Sequence, residues 1–481
     1  MAKQALLQGA YPARSYIAEA QRCLNLYLEK NPEDAPYPTT HYPTPGLTVF
    51  SSAPRSGRAR ALYQTTGGAV FAVVGRTVYM VASNGTWTTV GTIDNRTNPV
   101  SMSDNGATVL LVDGSDKGYL FSVGGTGWTQ ITDEAFLGGT RVDILDQYFV
   151  INQPNSRNFY ISDFNDTTFD SLNIAAKITY PDELTASVVM KREIWQIGQF
   201  TTEVWFNSGA SDFTFEKMPG VLIEYGCNAA FSIADADEKL FWLAQDRTGR
   251  AIVVAGSNYK AERISNYAIE NEIKDYEDLE LTEGFCYQQD GHLFYVLNFP
   301  TEDRTWVYDA TASASMGYPI WHERGWSDVD GVLHRARPAW SCSAFGLNLV
   351  LDHSSGQIYY YDLDSYTDNG DPVQRLRSFP HIKNENKRIE YQWLMAEFEV
   401  GKMPETLTSD PEMVWLRYSD DGGNTWSNAM QQSIGSAGQF KTAPKWTRLG
   451  YGRDRVFELA WSSSVRTALN GVSLDPKAGE S

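Results

Sequence analysis

Ser419-Asp420-Asp421-Gly422-Gly423-Asn424-Thr425-Trp426 is the stretch whose residue types and spacing are most specific. It fits the Asp-box pattern SxDxGxTW, with Ser419, Asp421, Gly423, Thr425 and Trp426 at the defining positions. A short carboxylate can cap backbone N–H groups, glycine supplies positive φ, and the indole packs beneath the hairpin. That chemistry builds a structural turn. Trp321-His322-Glu323-Arg324 sets a histidine beside a carboxylate, but sequence neighbours on a strand point to opposite faces. No second histidine stands at HExxH spacing. His292, after Asp290-Gly291, and His353, beside Asp352, are isolated, so a solvated or backbone-capping role is expected for His322, His292 and His353. Glu277, Asp278, Glu280 and Glu283 cluster, yet a carboxylate pair for glycoside hydrolysis is defined by spacing in three dimensions. Asp362–Asp368 lacks the sixth-position glycine of a calcium loop. A GxSxG elbow, a P-loop and a GxGxxG after a strand are all missing. Cys23, Cys227, Cys286 and Cys342 are scattered and form no CxxC pair, which reads as buried thiols of a protein made in a reducing cytosol. No catalytic, cofactor-binding or metal-ligating residue and no cofactor is assigned.

The elements that carry these residues are short strands. Val70–Val74 and Thr77–Ala82 flank Gly75-Arg76, then Ser83-Asn84-Gly85 turns into Thr86–Val90. The pattern returns as Thr108–Asp113, Tyr119–Val123 and Trp128–Ile131, with glycine turns between them. Asn-Gly and Gly-Gly between apolar runs are hairpin turns, because right-handed strand twist demands positive φ there. Looser copies follow at Tyr148–Ser162, Ile194–Ile197 with Glu203–Phe206, and Leu240–Leu243 with Ala251–Ala255. Leu293–Leu297 with Thr305–Tyr308, and Leu347–Leu351 with Ile358–Tyr361, complete the series. A spacing of roughly 35 to 50 residues is that of propeller blades. Radial stacking gives so many small hairpins a common core and few open edges. Helix is scarce, and the best candidate, Ala268–Tyr276, is polar enough to be a surface helix or a loop.

The ends of the chain differ from this rhythm. Tyr11–Tyr16 reads as extended or turn structure. Leu24, Leu26 and Leu28 alternate with Asn25, Tyr27 and Glu29, a half-buried strand. Residues 32–45 hold five prolines and predict an extended linker that docks on something. Toward the C-terminus, Glu390–Val400, Glu412–Tyr418, Lys445–Gly450 and Arg455–Trp461 predict an antiparallel set, either a last blade or a small appended sandwich. The expected class is therefore all-β: a propeller-like body of about six to seven blades over residues 55–385, an N-terminal arm and linker over 1–54, and a C-terminal β module over 386–481 that carries the Asp-box. A pair of sandwiches is the competing all-β architecture, which periodicity cannot separate.

Bulk properties narrow the function. The 481 residues carry 40 Lys plus Arg against 59 Asp plus Glu, a formal charge of −19. Length asks for either several domains or a modular fold, and 42% hydrophobic with 21% charged residues is a globular balance. A chain of this sign is no general nucleic-acid clamp, although it can lie beside DNA without gripping it. No apolar run approaches a membrane span, and Met1–Gly9 is a poor secretory signal.

A longer set of residues, in order, is more specific than any one motif. Arg22–Glu29 followed by Thr44–Leu47, Phe159–Asp163, Trp195–Gly198 with Thr202–Trp205, and Ile223–Gly226 come first. Arg263–Ser265 with Glu270, Gly291–Tyr295, Thr305–Asp309, Trp321–Arg324, Tyr418–Trp426 and Trp446–Gly450 continue it. Across nearly the whole chain this resembles the packaged-DNA stabilisation proteins of short-tailed phages, with one departure at Leu28, where proline is expected.

That resemblance implies a non-enzymatic tail hub, or nozzle, in the virion tail, made in the host bacterial cytoplasm. It implies a homo-oligomer, a six-membered ring below the portal and its adaptor protein. The ring closes the channel after packaging, retains the genome, forms the conduit for ejection, and carries the plug or needle and the tailspikes. DNA passes without specific binding, and this chain inserts in no membrane. Six copies of a −19 chain suggest a lumen that repels phosphates. The alternative is a sialidase-like glycoside hydrolase or glycan-binding propeller, which rests on the Asp-box; such enzymes need an arginine cluster and a Tyr/Glu nucleophile pair, and no such set is recognisable.

Overall fold

Four-residue alternations separated by glycine turns fold here into seven small antiparallel sheets, seen in a computed structural model that describes residues 4–5 and 21–478 apart from 96, 126, 246, 247, 386, 401–411 and 436–442. Met1–Gly9, apart from Gln4–Ala5, and Tyr11–Tyr16 lie outside the described residues. Blade 1 is Ala59–Gln64, Val70–Val74, Thr77–Val81 and Trp87–Thr92. Its turns behave as the sequence predicts, with φ of 58° at Gly75 and 79° at Gly85. Blades 2, 3 and 4 begin with Ser101–Asp104, Val142–Leu145 and Leu184–Met190, each followed by three more strands in order. Blade 5 runs from Ala234–Ala236 to Lys260–Arg263, and blade 6 from Glu283–Gln289 to Trp321–Ser327. Blade 7 is Pro338–Ala344, Leu347–Asp352 and Gln357–Asp362, and its fourth strand is Gly46–Ser52 from the start of the chain.

The core lies between blades. Ala61, Val73 and Val78 of blade 1 pack on Met102, Val109 and Leu111 of blade 2. Leu349 and Leu351 of blade 7 pack with Val70 and Ala72 of blade 1, so the ring closes. The first strand of each blade is innermost, the arrangement of a propeller.

The C-terminal module is a β-sandwich. One sheet holds Leu26–Lys30, Thr39–Pro43, Thr467–Ala478, Ile389–Val400 and Lys445–Thr447. The other holds Gln374–Ser378, Asp454–Ser462, Glu412–Ser419 and Met430–Gly435. Leu394, Ala396 and Phe398 face Val414, Leu416 and Leu459 across its core.

The strand expected through Leu24, Leu26 and Leu28 is broken. Asn25 takes φ 53°, a left-handed value that asparagine tolerates, and sends Cys23–Leu24 into one sheet and Leu26–Lys30 into the other. Both sides of this segment are covered, so Cys23, Leu26, Tyr27 and Leu28 are all buried. The proline-rich stretch ends in the strand Thr39–Pro43, and its Tyr37 lies on Gly471, where any Cβ would overlap the ring. The expected helix is Tyr267–Ile273, capped by Asn266. A second, Ala310–Met316, starts at Asp309 and ends at Gly317 (φ 79°); its Ala/Ser sequence shows no apolar period.

Candidate functional site

The residues with catalytic potential do not converge. His322 is buried between Phe294 and Arg324, and its Nε2 accepts from Arg324 Nε at 3.0 Å. Glu323 points the other way, to Arg22 at 2.7 Å and Arg304 at 3.2 Å, as strand alternation requires. The solvated role expected for His322 and His292 is corrected by burial. His292 Nδ1 lies 2.7 Å from Asp309 Oδ2, while Asp309 Oδ1 accepts from the Ala312 amide at the start of a helix. His353 is half-buried and pulled down to about 4, first by burial and then by the Arg335 charge. Glu283 is buried beside Arg58 and Arg335, apart from exposed Glu277, Asp278 and Glu280. Among the described residues no cluster of three or more His, Cys, Asp or Glu could hold a metal, and no helix is long and apolar enough to cross a membrane. The four cysteines are free; Cys23 and Cys227 are buried, Cys286 and Cys342 half-buried, and burial pushes every thiol up.

At the Asp-box, Ser419 Oγ donates to Asp421 Oδ1 at 2.7 Å and accepts from the Gly423 amide at 2.8 Å. Asp421 also accepts from the Thr425 amide at 2.8 Å and the Thr425 hydroxyl at 2.6 Å. Gly422 and Gly423 supply φ of 77° and 100°. These bonds hold the Asp421 carboxyl down at about 2, the Thr425 hydroxyl contributing most. Every oxygen named is spent within the turn. Trp426 is half-buried rather than sealed beneath the hairpin, and the Arg417 guanidinium lies over its ring at 4.5 Å. Arg455 ties the turn to the sandwich through both oxygens of Asp420, at 2.6 and 2.7 Å.

The propeller bore holds small cavities. Six innermost strands line a cavity of about 390 Å³ that includes Tyr63, Ser101, Asp143 and Asp235. A second cavity of about 300 Å³ lies toward Asn98, Asp113 and Glu280, and Phe231 borders both. Phe231 meets Trp340 edge to face at 5.8 Å, and Arg141 fixes its turn by donating to the carbonyls of Ala230 and Ile233 at 2.8 and 3.1 Å. This space suits a small molecule, not a nucleic-acid strand.

The two modules share a strand. Leu24 pairs antiparallel with Leu376 of the sandwich and parallel with Glu323 of blade 6, so one continuous sheet runs from Glu283–Gln289 to Met430–Gly435. Asn25 adds bonds to Gly325 and Gln374, and Arg377 donates to Gln21 at 2.6 Å. Composition and periodicity do not show this junction, because the alternation Leu24–Glu29 runs unbroken through Asn25 and only the backbone turns there.

Residues 36–366 match a family model described as bacteriophage P22 Gp10, beta-propeller, and residues 374–476 one described as bacteriophage P22 Gp10, beta-sandwich. The chain belongs to the bacteriophage P22 Gp10 family. It is a structural phage protein, and of the two architectures open for the C-terminal module the sandwich, not a last blade, is present. Curated proteins give no match. Similar solved structures include a chain of the mitotic checkpoint complex, at 10% identity and TM-score 0.43, covering 69% of this chain and 95% of that one. BamB from Moraxella catarrhalis matches at 8% identity and TM-score 0.40, covering 70% and 96%. The computationally designed Ika8 protein matches at 11% and TM-score 0.38, covering 66% and 99%. The P22 Gp10 family relationship accounts for the chain through both modules in order, whereas the Asp-box touches only one turn.

Proposed function

We propose that this P22 Gp10 family chain is a tail-hub, or nozzle, subunit of the virion. Copies of it form a ring, most simply of six, under the portal adaptor; the ring seals the channel after packaging, retains the genome, and carries plug or needle and tailspikes. The observation that carries this reading is the match of both family domains, in order, over residues 36–366 and 374–476. The size of the bore cavities, about 300 and 390 Å³ with Phe231 bordering both, adds to it: the path for DNA is then the space enclosed by the ring of subunits. A lumen that shares the chain's −19 charge would let phosphates slide past without sticking. The fusion of propeller and sandwich through Cys23–Leu24 suits a part that must transmit load as one body.

Particles lacking the protein should package DNA and then lose it. Normal genome retention in such particles would overturn the sealing role, and purified protein that neither assembles nor joins portal–adaptor complexes would overturn the hub.

A further inference from the structure

Three of the chain's six histidines, His41, His292 and His322, meet at the seam between sandwich and blade 6. His41 lies on Thr39–Pro43, opposite Leu28 and Leu469, fully buried, and neither ring nitrogen has a hydrogen-bond partner. His322 lies on Trp321–Ser327 at 1% exposure. Its Nε2 accepts from Arg324 Nε at 3.0 Å, so the neutral ring must carry its proton on Nδ1, which is buried without a partner. A proton added at Nε2 would confront a guanidinium N–H. The seam already holds three buried guanidiniums, Arg324, Arg375 and Arg377.

We propose that this seam is a proton-sensitive joint: propeller and sandwich stay fused only while His41 and His322 are neutral, and acid releases Arg324 from His322 and parts the two modules.

The groups facing these rings from each element define the sign. His41 feels Arg377 of Gln374–Ser378. His322 feels Arg324 of its own strand, His292 of His292–Phe299, and His41. Burial first, and these cations second, hold both rings well below the ordinary value of 6.5. The unfolded chain therefore binds protons near pH 6.5 that the closed seam refuses, and closure is fully stable above that pH and weakens as pH falls. His292 opposes this. Burial pulls it down, but the hydrogen bond and charge of Asp309, with Glu29 and Asp290, leave it raised, so its share is present in acid and lost in base. Two refusing histidines against one accepting leave a net loss on acidification. Carboxylates nearby do not compensate: Glu323 is held by Arg22 and Arg304, and Asp309 by His292.

Hydrogen exchange of the full-length protein, corrected for intrinsic rates, tests the joint. Between pH 7 and 5 the amides of Thr39–Pro43, Trp321–Ser327 and Gln374–Ser378 should lose protection by about tenfold or more, while Val142–Leu145 in blade 3 keeps it. The double variant His41→Leu with His322→Gln, which keeps an acceptor for Arg324 and cannot titrate, should abolish the pH dependence. Unchanged seam protection in the wild type, or the same loss in the double variant, would overturn the proposal. Should that variant not fold, assigned ring ¹⁵N spectra of the histidine-labelled wild type decide: His41 and His322 must stay neutral at pH 6, as half-buried His353 does, with His322 as the Nδ1–H tautomer. His41 and His322 titrating near 6.5 in an intact fold would overturn it.

Discussion

Asn25 holds both sides of Gly325: its Nδ2 donates to the Gly325 carbonyl at 2.7 Å, and its Oδ1 accepts from the Gly325 amide at 3.0 Å. The same Nδ2 donates to the Gln374 carbonyl at 2.8 Å, so one side chain bonds propeller and sandwich together. Asn25→Gly keeps the left-handed backbone and removes these bonds. It should destabilise the protein by about 2–4 kcal/mol, read by chemical denaturation, because buried peptide groups lose their partners. A loss no larger than that of an exposed Asn→Gly change would show that the strand pairing of Leu24 alone carries the seam.

Lys177 is fully buried between blades 3 and 4, where its ammonium meets Asp182 and Thr201. Asp182 Oδ2 accepts from the Phe200 and Thr201 amides at 2.7 and 3.0 Å. Asp182→Ala strands a charge and should cost about 3–5 kcal/mol; Lys177→Met with Asp182→Leu should recover much of it. Equal losses in single and double variants would argue against an uncompensated charge as the cause.

Phe231→Ala should merge the two bore cavities and lower stability by about 2 kcal/mol, since the ring is only half-buried. Genome retention should not change. Leaking particles would mean that the bore, not the space between subunits, is the conduit.

Asp421, held at about 2 against an ordinary 3.8, favours the folded turn at any pH above 3.8 and loses that contribution as pH falls toward 2. The Thr425 amide shift should therefore titrate in this low range, and Asp421→Asn should abolish the titration. A midpoint near 3.8 would mean the turn bonds are not formed in solution.

A fluorogenic sialoside should not be turned over, since each Asp-box oxygen named above is committed within the turn. Turnover lost on mutating a bore residue would revive the glycosidase reading.

What was legible in the sequence follows from local physics. Val70–Val81 and Thr108–Gln130 could be placed within a residue or two because glycine turns and period-two alternation are short-range signals. The sequence leaves blade number at about six to seven because the seventh blade borrows Gly46–Ser52, a pairing some 300 residues distant that no local pattern reports. The same limit hid the split at Asn25. The sequence points to a solvated or backbone-capping role for His322 and His292 because burial of a polar ring depends on partners, here Arg324 and Asp309, that only the folded chain supplies.

The placement of Cys23–Leu24 between Trp321–Ser327 and Gln374–Ser378 has a consequence in time. At about 5–20 residues per second, a ribosome needs roughly 20 to 70 s between making Leu24 and its partner Leu376. Through that interval the first-made strands, Gly46–Ser52 included, have no seat, and blades 1 to 5 can form while the ring stays open. Closure of the ring must wait until Gln357–Asp362 has been made. A chain terminated before Gln357 would be left with an open propeller and no sandwich.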